Sequence, residues 1–134
     1  MSSRPPPEIE LANAVYIVPF AFASVQVAVP AAEDRVLIDQ ARSASLVMLR
    51  ARTDGQVETA AESRIARERA IAVRAYLVQA GVDPTRVRMT WQPVGDTVSD
   101  NGTATGRALN RRVEIELYRL APQRLAASPL PSPL

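Results

Sequence analysis

The alternation of strand and helix patterns between residues 13 and 119 is the feature that most constrains the fold. Four segments have the period-two alternation or the short apolar run that is typical of strands. They are Val15–Phe22, Leu46–Arg52, Val87–Trp91 and Val113–Leu117. The first segment is predicted to be a strand that presents every second side chain, from Tyr16 to Phe22, on one face.

Two longer segments between these strands have helical periodicity. The first is predicted to begin at Pro30, because proline suits the first turn of a helix. The second runs from about Thr59 to Ala80, and the Gly81 and Pro84 that follow predict its end. Its apolar stripe is predicted to comprise Ile65, Ala72, Val73, Tyr76 and Leu77.

The resulting order of elements is β-α-β-α-β-β, with a loop or a short helix before the last strand. This order predicts an α/β (α+β) domain in which two long helices pack on one face of a four-stranded mixed sheet. We assign the domain to residues 13–119. Residues 1–12, with three consecutive prolines, are predicted to form an extended lead-in, and the Pro/Ala-rich residues 120–134 a disordered tail.

Composition excludes several classes of function. The 134 residues include no histidine and no cysteine, which removes thiol nucleophiles, disulfides and most zinc sites, so neither a metal nor a cofactor is expected. The formal net charge is only +2 and there is no basic run, which argues against nucleic-acid binding. No apolar stretch approaches the roughly 20 residues of a membrane span. No signal peptide is visible, so the chain is either the mature part of a longer precursor or cytosolic.

Two charged residues stand out as candidates for a binding site. Asp54 follows the second predicted strand, and Arg69 lies on the apolar stripe of the second helix, between Ile65 and Val73. A guanidinium in that position needs a partner or an open pocket. The pair is therefore either a structural salt bridge or a cleft that presents an anion beside a cation, which suits a zwitterionic ligand. The residue pattern favours neither interpretation.

Two motifs of the chain resemble those of the OmpA-like family of peptidoglycan-binding domains. The first is Thr53-Asp54 followed by Arg69-Ala70, with Val73 and Leu77 at the family's spacing. The second, residues 101–115, reads NGTATGRALNRRVEI and matches the family's N-x-T-x-x-G-R-x-x-N-R-R-V-E-I. In addition, residues 20–24 resemble the family's F-x-F-D-S. The resemblance covers roughly residues 15–118.

The resemblance implies a non-catalytic domain that binds the diaminopimelate of the peptidoglycan stem peptide and anchors an envelope protein or assembly to the wall. Asp54 would face the amine of diaminopimelate and Arg69 a carboxylate, while Phe22 and Ala23 would line the cleft. Arg111 would either approach the ligand or brace loops together with Arg112, and the second role is favoured. The implied location is periplasmic, tethered to the outer membrane or to an envelope complex.

The chain departs from the family pattern at three positions near the predicted cleft. Ala23 replaces an aspartate, Val57 a glycine and Glu62 an asparagine. Glu62 lies seven residues before Arg69, so its carboxylate is predicted about 10 Å away on the same side of the helix, near the ligand. There it would either repel an acidic stem peptide or compete for the guanidinium.

Two other classes of function are compatible with these residues. The first is an OmpA-like fold that has lost wall binding and serves as a protein-interaction module in a secretion or conjugation apparatus. Glu62 and Ala23 favour this alternative. The second is a glycan hydrolase that uses Asp54 and Glu62 as its two carboxylates. The absence of histidine and cysteine argues against an enzyme.

Overall fold

The computed structural model describes residues 14–54, 59–91 and 102–119. Its strands and helices follow one another in the predicted order, with a short helix before the last strand. They are β1 Ala14–Pro19, α1 Ala31–Ser43, β2 Leu46–Arg52, α2 Ala60–Gln79, β3 Val87–Trp91, α3 Ala104–Asn110 and β4 Arg112–Tyr118. The predicted lead-in and tail lie outside the described residues. Among the described helices, none combines the length and the apolar character needed to cross a membrane.

The sheet is mixed, as predicted, with the strand order β1-β4-β2-β3. Strand β4 pairs antiparallel with both β1 and β2, whereas β2 and β3 are parallel and are joined by α2. In this register Arg112, the first residue of β4, lies opposite both Pro19 and Arg52, the last residues of β1 and β2. The ends of β1 and β2 and the start of β4 therefore meet at one edge of the sheet.

One hydrophobic core lies between the sheet and the two long helices, which places both helices on the same face, as predicted. Alternate residues of β2 (Val47, Leu49, Ala51) and of β4 (Val113, Ile115, Leu117) are buried. They form a single cluster with buried residues of α1 and α2: Leu37, Ile38, Ala41, Ala66, Ala70, Val73 and Leu77. The intervening positions of the strands face away from the helices.

Local signals at both ends fix the position of α2. Thr59 caps its amino terminus, where the hydroxyl accepts a hydrogen bond from the Glu62 N–H at 3.1 Å. At the other end Gly81 adopts a φ of 106°, which favours glycine, and its N–H donates to the Val78 carbonyl at 3.0 Å. The buried residues of α2 are Ala66, Arg69, Ala70, Val73 and Leu77, of which the last two were predicted for the apolar stripe. The other predicted members, Ile65, Ala72 and Tyr76, are part-buried.

Strand β1 ends three residues earlier than predicted. The chain turns at Phe22 and Ala23, where the Ser24 N–H donates to the Ala21 carbonyl at 3.0 Å. Phe22 is consequently 77% exposed and does not share the buried face with Val18, so this part of the prediction was wrong. The predicted start of α1 was also one residue early, because Pro30 caps the helix rather than lying in its first turn.

Candidate functional site

The predicted site residues Phe22, Ala23, Asp54, Arg69 and Arg111 lie together at the edge of the sheet where β1 and β2 end and β4 begins. Four different segments carry these five residues. The turn after β1 carries the first two, Asp54 follows β2, Arg69 projects from the middle of α2, and Arg111 lies between α3 and β4. The topology therefore gathers segments that are distant in sequence.

Asp54 forms an ion pair with Arg111. Its Oδ2 accepts a hydrogen bond from Arg111 Nη1 at 3.1 Å, and the two side chains are 16% and 14% exposed. The other oxygen, Oδ1, accepts no hydrogen bond from the described residues. Arg111 also donates from Nε to the Phe20 carbonyl at 3.1 Å, and its guanidinium lies 6.0 Å from the centre of the Phe22 ring. Within the described part of the chain, Asp54 thus has one oxygen without a donor beside a guanidinium that is itself held in place.

Arg69 is buried, with 1% of its surface exposed, and its guanidinium is held by backbone carbonyls rather than by Asp54. Nε donates to the Ser24 carbonyl at 2.9 Å. Nη2 and Nη1 make longer hydrogen bonds to the carbonyls of Ala21 (3.3 Å) and Arg52 (3.5 Å). The Phe20 ring adds a cation–π contact at 5.1 Å. Arg69 therefore joins α2 to the turn after β1 and to the end of β2.

The charges around Arg69 have opposing effects on its pKa. Burial lowers the pKa of the guanidinium because it removes the charged form from water, and the nearby Arg111 lowers it further. The carboxylates of Asp54 and Glu62 raise it, since each stabilises the positive charge. Asp54 therefore lies in the field of both arginines, although its direct ion pair among the described residues is with Arg111.

The turn after β1 is anchored by both arginines. They bind the carbonyls of Phe20, Ala21 and Ser24. Ala23 in this turn has a φ of 57°, a left-handed conformation that costs alanine roughly 1–2 kcal/mol. Aspartate, which the family has at this position, adopts left-handed φ more often than most residues. The contacts from the arginines offset the strain and hold the exposed Phe22 beside the Arg111 guanidinium.

Glu62 lies in the first turn of α2, half-buried. Its Oε1 is inaccessible to solvent, and no donor among the described residues forms a hydrogen bond with it. Glu62 makes no ion pair with Arg69 at contact distance, and its carboxylate acts on the guanidinium through the electric field alone. This carboxylate therefore has an oxygen without a donor in the described part of the chain. Val57, the third departure from the family pattern, lies outside the described residues.

Sequence reasoning found the members of this cluster but not their pairing. Arg111 has the structural role that was favoured for it, because it donates a hydrogen bond to the turn after β1. It also forms the ion pair with Asp54 that had been considered for Arg69. The residue pattern gives no indication of which backbone carbonyls accept hydrogen bonds from Arg69. Within the described ranges, no group of acidic side chains is arranged to hold a metal ion.

The mixed sheet with two helices on one face and a charged edge is the architecture of the OmpA-like domains. The chain belongs to the OmpA family, whose family model matches residues 20–111. This establishes the family that the motifs of residues 53–77 and 101–115 predicted.

Two curated relatives and two solved structures illustrate the similarity. The chain is 40% identical to outer membrane protein A of Bordetella avium over 91 residues (63% of this chain, 47% of the relative). It is 36% identical to a candidate type IV secretion system outer membrane lipoprotein of Brucella suis over 73 residues (54% and 42%). The chain thus spans less than half the length of these relatives.

Among solved structures, the cell wall anchor of the type VI secretion system from Pseudomonas aeruginosa superposes with a TM-score of 0.64 at 24% identity, covering 84% of this chain and 88% of that one. The peptidoglycan-associated lipoprotein of Burkholderia pseudomallei also gives 0.64, at 21% identity, covering 75% and 87%. At these identities the likeness shows the shared fold.

Proposed function

We propose that this domain binds peptidoglycan without catalysis, through the diaminopimelate of the stem peptide, and so anchors an envelope protein or assembly to the cell wall. Membership of the OmpA family supports this, as do the names of two proteins that share the fold, a cell wall anchor and a peptidoglycan-associated lipoprotein. The relatives named for the outer membrane support a periplasmic location.

The observation that carries the proposal is the Asp54 carboxylate beside the Arg111 guanidinium, with one oxygen, Oδ1, that accepts no hydrogen bond from the described residues. A ligand amine would donate to Oδ1 of Asp54, while Oδ2 stays with Arg111. A ligand carboxylate would accept hydrogen bonds from the arginines, since planar guanidinium groups bind carboxylates well. An end group that carries both an amine and a carboxylate, as diaminopimelate does, matches this pair of neighbours.

Arg69 contributes to the proposed site in a different way from Arg111. A guanidinium has five N–H donors, and three of those of Arg69 are directed at carbonyls of the protein. Arg69 therefore contributes positive charge beneath the site and at most its remaining N–H groups to the ligand. The exposed ring of Phe22 and the backbone at Ala23 would form the adjoining wall.

Co-sedimentation with purified sacculi tests the proposal. We expect the chain to pellet with sacculi and to be released by free meso-diaminopimelate, because the ligand end group competes for Asp54. Nα-acetyl-lysine at the same concentration is the matched control, since its free amine and its carboxylate are on different carbons and no end group carries both. Failure to pellet, or release by Nα-acetyl-lysine and diaminopimelate alike, would contradict the proposal.

A second candidate function is a protein-interaction module in a secretion apparatus that no longer binds the wall. The replacement of the family aspartate by Ala23 favours it, as does the buried oxygen of Glu62, which has no donor among the described residues. The similarity to the Brucella suis lipoprotein favours it as well. Under this alternative the chain stays in the supernatant with sacculi at every concentration, so the same co-sedimentation separates the two candidates.

A further inference from the structure

The outer edge of β1 presents backbone hydrogen-bonding groups that have no partner among the described residues. Strand β1 is the last strand on one side of the sheet and, of the described strands, pairs with β4 alone. Just after it, the Phe20 N–H donates to the Arg111 carbonyl at 2.9 Å, so these two residues form a hydrogen-bonded pair. Because such pairs alternate along antiparallel strands, the N–H and C=O groups of Val15 and Ile17 point away from β4. These groups are available to another strand.

The side chains of β1 do not protect this edge. Proteins usually guard a free edge with charged side chains, a bulge or a covering segment, since another strand can pair with it. Strand β1 has the sequence AVYIVP, which contains no charge, and only Pro19 at its end lacks an N–H. Val15 and Ile17 are 52% and 51% exposed on the face away from the helices. The edge therefore combines open backbone groups with an accessible apolar surface.

A groove of about 320 Å³ lies beside this edge, between β1 and the start of α1. Residues 16–19 form one wall, and residues 28–30 form the other. Leu37, which belongs to the hydrophobic core, is part of the lining. Glu33 also lines the groove; it is exposed and forms no ion pair with a described residue. The groove thus offers an apolar lining with one negative charge.

An extended peptide of another protein fits this edge better than a second copy of the domain. A strand of a second copy could pair with Val15 and Ile17, but its inward side chains are buried in its own core, so the groove would stay empty. In a separate peptide, alternate side chains point to the helix side of the sheet and can enter the groove. A basic side chain among them would complement Glu33.

We propose that the outer edge of β1 binds an extended peptide of a partner protein as an added strand. The peptide pairs with the backbone of Val15 and Ile17, places alternate apolar side chains in the groove beside Leu37 and carries a basic residue that faces Glu33. The edge and the groove share no residue with the ion pair of Asp54 and the elements that hold it. The domain therefore has a site for a protein partner in addition to the site proposed for the wall.

Amide hydrogen exchange measured by NMR with a synthetic peptide tests the proposal. The probe is TVTRTVT with blocked ends, which alternates threonine with valine and has arginine in place of the central valine. In the free chain we expect fast exchange at Val15 and Ile17 and slow exchange at Tyr16 and Val18, which bond to β4. At a peptide concentration of about ten times Kd, exchange at Ile17 should slow about tenfold.

Variants separate the backbone pairing from the charge contact, with the affinity measured by fluorescence anisotropy of the labelled peptide. Ile17→Pro removes an N–H that does not bond to β4, and it should weaken binding about three- to tenfold, as for one lost hydrogen bond. Ile17→Val is the matched control, because it keeps the N–H, and it should bind as the unaltered chain does. Glu33→Gln should weaken binding up to about fivefold, the value of an exposed ion pair.

Three results would overturn the proposal. The first is that the peptide does not bind, or binds without slowing exchange at Val15 and Ile17. The second is that a folded Ile17→Pro binds as tightly as the unaltered chain; should this variant not fold, the exchange measurement on the unaltered chain decides. The third is protection of Ile17 without peptide that rises with protein concentration as a dimer forms in sedimentation, which would assign the edge to a second copy.

Discussion

Replacing Arg69 by alanine is expected to lower the free energy of unfolding by roughly 3–5 kcal/mol, as for other buried charged groups whose contacts are removed. The substitution deletes the donor of three backbone carbonyls, those of Ser24, Ala21 and Arg52. Each of these carbonyls would lose this donor, while that of Ala21 would keep the Ser24 N–H, and the space filled by a fully buried side chain would be left empty. Urea denaturation followed by circular dichroism measures the loss.

Arg64→Ala is the control for this experiment, because Arg64 is an exposed arginine on the same helix. We expect it to change stability by less than about 0.5 kcal/mol, as is usual for surface positions. A loss below about 1 kcal/mol for Arg69→Ala would mean that the turn after β1 does not depend on this guanidinium. The large expected loss also makes Arg69 a poor choice for testing ligand binding, since a weakened fold would lower the affinity by itself.

Asp54→Asn is expected to weaken binding to diaminopimelate-containing wall fragments by about 10- to 100-fold, the value of a hydrogen bond to a charged group. Asparagine preserves the shape of the side chain but not the negative charge that we propose holds the ligand amine. Stability should fall by about 1–3 kcal/mol, the cost of weakening a mostly buried hydrogen bond to the charged Arg111. Titration calorimetry measures the affinity and urea denaturation the stability.

The matched control is Asp39→Asn, which makes the same change at an exposed position of α1. It is expected to leave the affinity unchanged. An Asp54→Asn variant that binds as tightly as the unaltered chain would show that this carboxylate does not hold the ligand.

The elements of the fold could be predicted because their signals are local. The alternation along β2 and β4 and the cap of α2 at Thr59 lie within a few residues of the structure they specify. The end of β1 could not be predicted in the same way. It depends on a left-handed Ala23, a conformation that alanine disfavours, and on two arginines from distant elements that hold the turn.

The site was predicted as a set of residues but not as a set of contacts. Arg69 stood out because a charge on an apolar stripe requires an explanation, and its burial confirms that reasoning. Its acceptors are backbone carbonyls, which every residue has, so the sequence gives no indication of which ones it binds. The ion pair between Asp54 and Arg111 joins residues 57 positions apart and exists because β4 lies between β1 and β2. Pairing of this kind follows from topology rather than from spacing.

The most direct test of the central claim, that the cluster around Asp54 receives the wall's diaminopimelate, is an amide NMR titration of the isotope-labelled chain with meso-diaminopimelate. We expect saturable shifts at Phe22, Ala23, Asp54 and Arg111, and unchanged signals at Met48, which faces away from the helices on β2. Shifts confined to the sheet face around Met48 would contradict the claim. So would the absence of shifts at a diaminopimelate concentration that releases the chain from sacculi.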